Sequence, residues 1–380
     1  MTRTSPPSSG STGDVTQIST VRRLDQHAGS GYDRVWEPYI AEWAPASEKK
    51  DAHLVVAYGA HLAGKVDMGD IMACVSTDGG AAWSDPVPVF DHALPLGPLR
   101  VAYANPVLFK PTGQPILWCF AMRCPLIYRD SENSQLCAAY SVDSGRSWQT
   151  VEVAVHWQSP LIIVAGIHAL PDGNGGTRYL LPVHRNTLRN DPRGRRDHAV
   201  LESSNLIEWR LAGYIPEENE GTVFLHEGSI APAEREGDLK IVMRTATYDT
   251  YVALDPPVAY SSTSADGGRT WSPAQPEPDL HNAVSKAFFG RDSLGRYVYV
   301  YNTGGRTERR GLHYKVKRSG EPWSLARAFY DTGVKNSYPT LIEFAPVQFH
   351  CVWDSSDTAD RHRTIIRYGC LNLNDASLPS

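Results

Sequence analysis

The chain has 380 residues, a formal net charge of −5 and 21% charged residues. This balance gives no basic field for nucleic acid or anionic membrane, and no run of 18 apolar residues predicts a membrane-spanning helix. The first 15 residues are rich in Ser, Thr, Pro and Gly and lack an apolar signal core, which predicts a flexible tail. A cytoplasmic protein and a secreted protein that has lost its signal peptide both remain open.

Short apolar segments recur along the chain and predict β-strands. First strands of a repeat are predicted at 34–40, 102–108, 164–170, 225–230, 284–289 and 336–342. Second strands follow at 53–58, 115–120, 178–183, 240–244, 297–301 and 350–353. Third strands are predicted at 70–75, 135–140, 258–263 and 310–315, and residues 16–24 are expected to complete the last unit.

Three copies of an S-x-D-x-G-x-x-W motif, here called Asp boxes, follow third strands at 76–83, 141–148 and 264–271. The Asp side chain can accept backbone N–H bonds, the Gly permits positive φ, and the Trp packs the turn onto a sheet. The tryptophans at 83, 148, 209, 271 and 323 lie 65, 61, 62 and 52 residues apart. A propeller blade with its loops has about this length.

These features predict an all-β fold, a six-bladed β-propeller in one domain. The predicted boundaries are a tail at 1–15, the propeller at 16–372 and a C-terminal tail at 373–380. First strands of a propeller surround its central channel. Aligning the first strands puts six residues in one column: Glu37, Asn105, Gly166, Glu227, Lys286 and Tyr338. Four of these six are ionisable. Hydrated polar residues without a catalytic role are one explanation, and a functional site is the other.

The Asp boxes and several ordered motifs resemble the sialidase superfamily over roughly residues 16–372. H-E-G-S-I at 226–230, followed by Arg244, is similar to the stretch that holds a catalytic Glu and then an Arg. R-G-L at 310–312 and S-Y-P-T-L at 337–341 are similar to the motifs of a substrate-binding Arg and a nucleophilic Tyr. The resemblance implies Tyr338 and Glu227 as the catalytic pair, with Asp67 as the acid/base. Asp70 and Glu37 are the alternatives to Asp67 in that role.

The predicted substrate-binding residues are ionisable side chains at equivalent positions of the blades, and among them Arg244 and Arg310 would hold a substrate carboxylate. They are Arg34, Glu37, Arg123, Arg244, Lys286 and Arg310. Two features depart from the family pattern: Trp36 stands where sialidases keep their first arginine, and Glu37 and Lys286 are additional ionisable groups.

The resemblance implies an exo-glycoside hydrolase that cleaves a terminal, acidic sugar and has an oligosaccharide or glycan as its substrate. A lyase acting at a uronic acid is an alternative, because Tyr338 and several histidines (His61, His168, His184, His226) could transfer protons. A non-catalytic carbohydrate-binding propeller is another, since Asp boxes are structural. The sequence predicts no cofactor, no metal site, no nucleic-acid or membrane partner, and a monomer.

Overall fold

The structure, a computed structural model, describes residues 13–27, 29–44, 52–94, 100–128, 133–157, 161–185, 197–217, 223–247, 252–332, 335–356 and 364–373. Within these ranges the fold is all-β, and a short 3-10 turn at Leu24–His27 is its one helical element. No helix in the described part of the chain is long and apolar enough to cross a membrane.

The strands form five hydrogen-bonded sheets arranged as a β-propeller, and nearly all of their pairings are antiparallel. The first in the chain has eight strands: β2 (Tyr32–Ala44), β3 (His53–Leu62), β4 (Gly69–Ser76), β5 (Val87–Phe90), β6 (Val101–Phe109), β7 (Leu117–Pro125), β8 (Gln135–Ser141) and β9 (Gln149–Val151). The second comprises β10 (Ala154–His156), β11 (His168–Pro171), β12 (Thr177–His184), β13 (His198–Ser203) and β14 (Glu208–Tyr214). In it, β10 runs parallel to β14.

The remaining three sheets have four strands each. One comprises β15 (Val223–Pro232), β16 (Leu239–Thr247), β17 (Val258–Ser264) and β18 (Gln275–His281). The next comprises β19 (Phe288–Arg291), β20 (Tyr297–Asn302), β21 (Leu312–Lys317) and β22 (Arg327–Tyr330). The last has the order β1 (Val15–Arg23), β25 (Thr364–Asn372), β24 (Gln348–Ser356) and β23 (Lys335–Ala345).

Six separate sheets were expected, and five are observed. The eight-stranded sheet consists of two consecutive meanders, β2–β5 and β6–β9, joined through one residue pair, Gly69 and Tyr103. Gly69 also permits the close approach of β4 to β3, because a Cβ there would lie 1.9 Å from the Ala60 carbonyl oxygen. The expected closure is present: β1 pairs with β25 from Val15–Leu371 to Arg23–Ile365.

The Asp boxes fold as the sequence predicts. In the third box, the Asp266 carboxylate accepts bonds from Thr270 N at 2.9 Å and Ser264 Oγ at 2.9 Å, and Gly268 has φ of 88°. Trp271 then packs with Leu180 and Leu239 between two adjacent sheets. The core therefore lies between blades, and each box fixes the outer end of one blade against its neighbour.

The predicted tails at 1–15 and 373–380 fall mostly outside the described residues. At their inner limits Val15 begins β1 and Leu373 is fully buried.

Candidate active site

Four inner strands carry the same irregularity at the column that the sequence predicts. Glu37, Asn105, Glu227 and Tyr338 have φ of 53°, 55°, 47° and 51°, a left-handed region that non-glycine residues rarely adopt. At each of them the register between first and second strand slips. Such bulges re-aim a side chain and are frequent beside active sites. The side chains of this column surround the central channel and are here called the ring. Strained backbone at four equivalent positions makes the ring a candidate functional site.

The other two members of the column lie just before strands that start later than predicted. β11 begins at His168 and β19 at Phe288, which leaves Gly166 and Lys286 in irregular segments. Lys286 is buried, and its ammonium donates to the Val164 carbonyl at 3.2 Å and to Thr340 Oγ1 at 3.1 Å. Burial lowers the pKa of Lys286 to about 8. Gly166 and Lys286 both line a cavity of about 400 Å³, together with Tyr39 and Thr340.

The central contact joins three predicted residues. Tyr338 Oη donates to Glu227 Oε1 at 3.2 Å, and Arg244 Nη1 donates to the same oxygen at 2.8 Å. Burial, and then the negative charge of Glu227, raise the pKa of Tyr338 well above its usual value. Tyr338 is therefore a neutral phenol whose proton points at a carboxylate, and Arg244 balances the charge of that carboxylate.

The local backbone explains how these side chains meet. Arg244 on β16 pairs in register with His226, the residue before the β15 bulge, so it stands beside Glu227. The Glu227 N–H donates to His184 Nδ1 at 3.4 Å. Burial, and then the charge of Arg244, lower the pKa of His184 to about 3, which keeps the ring neutral. Neutral His184 can accept this bond and support the strained backbone of Glu227.

Three cations surround the indole of Trp36, and we call them the Trp36 cluster: Arg34, Arg309 and Lys335. Lys335 Nζ lies 3.4 Å from the ring centroid, and the Arg309 and Arg34 Cζ atoms lie 4.9 and 5.3 Å away. Arg309 is also 5.0 Å from the ring of Tyr338. Burial lowers the pKa of Lys335 to about 7. Because cations of like charge repel, this arrangement favours an anion between them.

The ring also contains acidic groups, in addition to the cations around Trp36. Glu37 is 6% exposed, and its Oε2 atom is buried without a hydrogen-bond partner among the described residues. Burial, and then the charges of Asp67, Glu227 and Asp354, raise the pKa of Glu37 well above its ordinary value. Glu227 also has a buried Oε2 without a partner there. Two carboxyl oxygens of the site thus have unused hydrogen-bonding capacity.

Two predicted site residues lie elsewhere. Arg310 is 67% exposed in its side chain and forms an ion pair with Glu308 at 2.7 Å, so the guanidinium beside Tyr338 belongs to Arg309. Arg123 donates to Gln135 Oε1 at 2.9 Å within its own blade, and no described contact brings it to the Tyr338–Glu227 pair. Arg310 lies in the loop before β21, where sequence spacing does not specify direction. Arg123 lies within β7 and is the register partner of Gln135 on β8, so its side chain bonds to the neighbouring strand.

Asp67, the predicted acid/base, lies in the turn before β4. It is 41% exposed in its side chain, and its Oδ1 is 4.0 Å from Nδ1 of buried His61. Its charge acts on both Glu37 and Lys335. Asp67 is therefore near the ring without touching Tyr338 in the described contacts.

Sequence reasoning missed Arg309, Lys335 and Asp354. For Asp354 a signal existed: it pairs in register with Ser337, the residue before the Tyr338 bulge, as Arg244 pairs with the residue before the Glu227 bulge. Asp354 is buried and accepts the Ser337 hydroxyl at 2.7 Å. Aligning second strands as well as first strands finds it.

A protein-family model described as a BNR repeat-like domain matches residues 52–351. None of the curated protein sequences matches the chain significantly.

Solved structures with the same architecture include glycosidases and one protein of unknown function. The intramolecular trans-sialidase of Ruminococcus gnavus is 13% identical with a TM-score of 0.67, over 95% of this chain and 99% of that one. An α-L-arabinofuranosidase of Fusarium graminearum is 12% identical with a TM-score of 0.66, over 96% and 99%. A protein of unknown function from Dyadobacter fermentans is 14% identical with a TM-score of 0.68, over 94% and 98%. At these identities the likeness establishes a sialidase-like propeller fold.

Proposed function

The chain belongs to the family of BNR repeat-like domains, and from this premise we propose that it is a glycoside hydrolase that removes a terminal acidic sugar from a glycan. The observation that carries the proposal is the hydrogen bond from Tyr338 to Glu227, with Arg244 on the same carboxylate oxygen. These residues come from three different strands of two sheets, β23, β15 and β16. A binding module needs no such proton-transfer pair.

In the proposed reaction Tyr338 is the nucleophile and Glu227 its base. The raised pKa of Tyr338 opposes spontaneous ionisation, so the proton passes to Glu227 as the phenol oxygen attacks the anomeric carbon. A neutral phenol avoids the repulsion that a carboxylate nucleophile meets at an anionic sugar. Tyr nucleophiles of sialidases are a recognised exception to the two-carboxylate scheme.

The Trp36 cluster and Arg244 would bind the carboxylate of the sugar. Arg309, at 5.0 Å from the Tyr338 ring, takes the role that the sequence resemblance gives to Arg310. Arginine can hold a carboxylate by two parallel hydrogen bonds. Asp67, which is partly exposed, would protonate the leaving oxygen, a role worth roughly 10²–10⁴-fold in rate.

We also propose that the propeller has six blades, with the two meanders of the eight-stranded sheet counted as blades one and two. The single residue pair between Gly69 and Tyr103 supports this count. One pair is too little to make the two meanders a continuous sheet, and the described strands of other neighbouring blades share no ladder of hydrogen bonds.

The test is Tyr338→Phe, assayed on nitrophenyl glycosides of N-acetylneuraminic acid and glucuronic acid. We expect kcat to fall by at least about 10²-fold with sugar binding largely retained. The matched control is Tyr260→Phe on β17, outside the ring. Normal turnover by Tyr338→Phe would contradict the nucleophile assignment. On a uronate-containing glycan, a saturated reducing sugar supports hydrolysis, and an ultraviolet-absorbing unsaturated uronate indicates the lyase instead.

A further inference from the structure

Glu37 is a buried carboxyl group that the proposed mechanism leaves without a role. It is 6% exposed, its φ is 53°, and its Oε2 has no partner among the described residues. It occupies in β2 the bulge position that Glu227 occupies in β15 and Tyr338 in β23. The same backbone device therefore directs Glu37 into the ring with the catalytic pair.

An ionised Glu37 would be incompatible with an acidic substrate. Its carboxylate would lie beside other carboxylates and would repel the carboxylate of the bound sugar. A protonated Glu37 has the opposite effect, because a neutral carboxylic acid is a hydrogen-bond donor. A buried donor without a protein acceptor can be satisfied by an oxygen of a ligand.

We propose that Glu37 carries its proton at neutral pH and donates it as a hydrogen bond to the terminal acidic sugar, so that it selects this sugar only while protonated. The inference rests on the proposed function, because the ligand is the substrate of the same site. Glu37 is here a specificity-determining residue and transfers no proton to the leaving group.

Charged and titratable groups face Glu37 from every part of the ring. They are Asp67, Glu227, Lys286, Arg309, Tyr338 and Asp354. Burial is the largest cause of the raised pKa of Glu37, the three carboxylates add to it, and Arg309 opposes it. Lys286 and Lys335 have pKa values of about 8 and about 7, so they also titrate between pH 6 and pH 9. The effect of Glu37 on sugar binding is therefore measured as the difference between the wild type and a Glu37 variant at the same pH.

The decisive variant is Glu37→Gln, because an amide imitates the protonated acid and cannot ionise. Calorimetric titration with free N-acetylneuraminate and free glucuronate from pH 6 to pH 9 compares it with the wild type. We expect similar affinities at pH 6, and a loss of affinity with rising pH that is larger in the wild type than in Glu37→Gln, because only the wild type can ionise at this position. An identical decline in both proteins, or loss of binding by Glu37→Gln at every pH, would overturn the proposal.

Thermal unfolding tests the protonation of Glu37 without any ligand. A carboxyl group whose pKa is raised in the folded state makes the protein less stable as pH rises from the ordinary pKa of 4.5 toward the folded-state pKa. In that range the unfolded chain binds fewer protons than the folded chain does. Glu37→Gln should therefore gain in melting temperature over the wild type between pH 5 and pH 8. An equal difference at both pH values contradicts a protonated Glu37.

The two measurements separate this inference from the proposed function. A wild type that binds neither sugar, and hydrolyses neither glycoside, contradicts the proposed function and with it the ligand of Glu37. A wild type that binds and hydrolyses while Glu37→Gln shows the same pH dependence contradicts the inference alone. A collapse of kcat in Glu37→Gln with unchanged KM would assign it to proton transfer instead, and also overturns it.

Discussion

Two adjacent arginines in the loop before β21 have different surroundings. Arg309 lies against the rings of Trp36 and Tyr338, and its Nε donates to the Val284 carbonyl at 3.0 Å. Arg310 is exposed and paired with Glu308. If the Trp36 cluster binds the substrate carboxylate, Arg309 and not Arg310 can contribute a desolvated, charge-assisted hydrogen bond.

We therefore expect Arg309→Ala to raise KM by roughly 10- to 100-fold, which corresponds to about 1.5–3 kcal/mol for a hydrogen bond to a charged group. Arg310→Ala should change KM by less than about threefold, because exposed ion pairs contribute little. Steady-state kinetics on the nitrophenyl glycosides measures both. The reverse order of effects would return the clamp to Arg310, as the sequence resemblance implies.

Lys335 makes the site sensitive to pH through a second route. Its pKa is lowered to about 7, mainly by burial and further by Arg309 and Arg34, so its ammonium is lost within the physiological range. Binding of an anionic sugar should weaken as pH rises through 7. Lys335→Arg keeps the charge at every accessible pH and should remove this part of the decline. An unchanged profile in Lys335→Arg would exclude a contact between Lys335 and the anion.

The stability effect of Lys335 has the opposite sign to that of Glu37. The unfolded chain holds the lysine proton up to the ordinary value of 10.5, whereas the folded chain releases it near 7. Stability therefore rises with pH between these values. Comparing each variant with the wild type at the same pH keeps the two contributions apart.

Among the structural elements, the inner-strand bulges and the Asp boxes have different roles in the fold. The bulges aim side chains into the channel, and the boxes fasten the outer ends of blades. Each box depends on an Asp whose carboxylate organises the turn. Burial acts to raise the pKa of Asp266, but hydrogen bonds from Thr270, Ser264 and Arg269 lower it to about 2.

We expect Asp266→Ala to reduce the free energy of unfolding by about 1–3 kcal/mol, because the backbone N–H groups of the turn lose their acceptor. The control is Asp279→Ala on β18, an exposed Asp in the same sheet. Urea unfolding at pH 7 measures the difference, and equal stabilities would contradict the structural role of the box.

The pH dependence of this variant has a definite direction. Since the folded pKa of Asp266 is lowered from 3.8 to about 2, its contribution is complete above the ordinary value and disappears as pH falls through 2. The gap between Asp266→Ala and the wild type should accordingly narrow between pH 4 and pH 2.

The sequence is most informative where local pattern and burial coincide. The first strands at 34–40, 102–108, 225–230 and 336–342 lie within β2, β6, β15 and β23, because flanking apolar residues fix their register and thereby the column of Glu37, Asn105, Glu227 and Tyr338. The strands expected at 164–170 and 284–289 begin later. Gly166 approaches Tyr39 too closely for regular pairing of a larger residue, since a Cβ would lie 2.1 Å from Tyr39 Oη.

Site residues in loops were harder to predict from the sequence than those in strands, and the reason is physical. Arg309 and Arg310 precede β21 (Leu312–Lys317), so no alternation of faces decides which of them points inward. Lys335 is the first residue of β23, and it contacts Trp36 through the packing of β23 against β2. Such contacts depend on tertiary geometry that spacing along one chain does not encode.

At the scale of the whole molecule, the propeller is closed by strands from opposite ends of the chain. β1 is the outer strand of the sheet whose inner strand, β23, carries Tyr338. Val15 packs in one cluster with Phe349 and Trp353, and Val21 packs in another with Ile366 and Tyr368. Without β1, the backbone of β25 is an open sheet edge, which invites pairing with other chains.

We expect the double substitution Val15→Asp and Val21→Asp to lower the free energy of unfolding by at least about 3 kcal/mol, because two buried side chains become unpaired charges. Urea unfolding measures the loss, and size-exclusion chromatography should show self-association through the freed edge of β25. Gln17→Asp in the same strand is the matched control, since Gln17 is exposed and its substitution adds a charge without burying it. Wild-type stability and a single monomer peak for the double variant would show that the ring holds without its closing strand. A loss confined to stability, with no self-association, would mean that β25 stays covered after the valines are replaced, and that closure protects the core more than the edge.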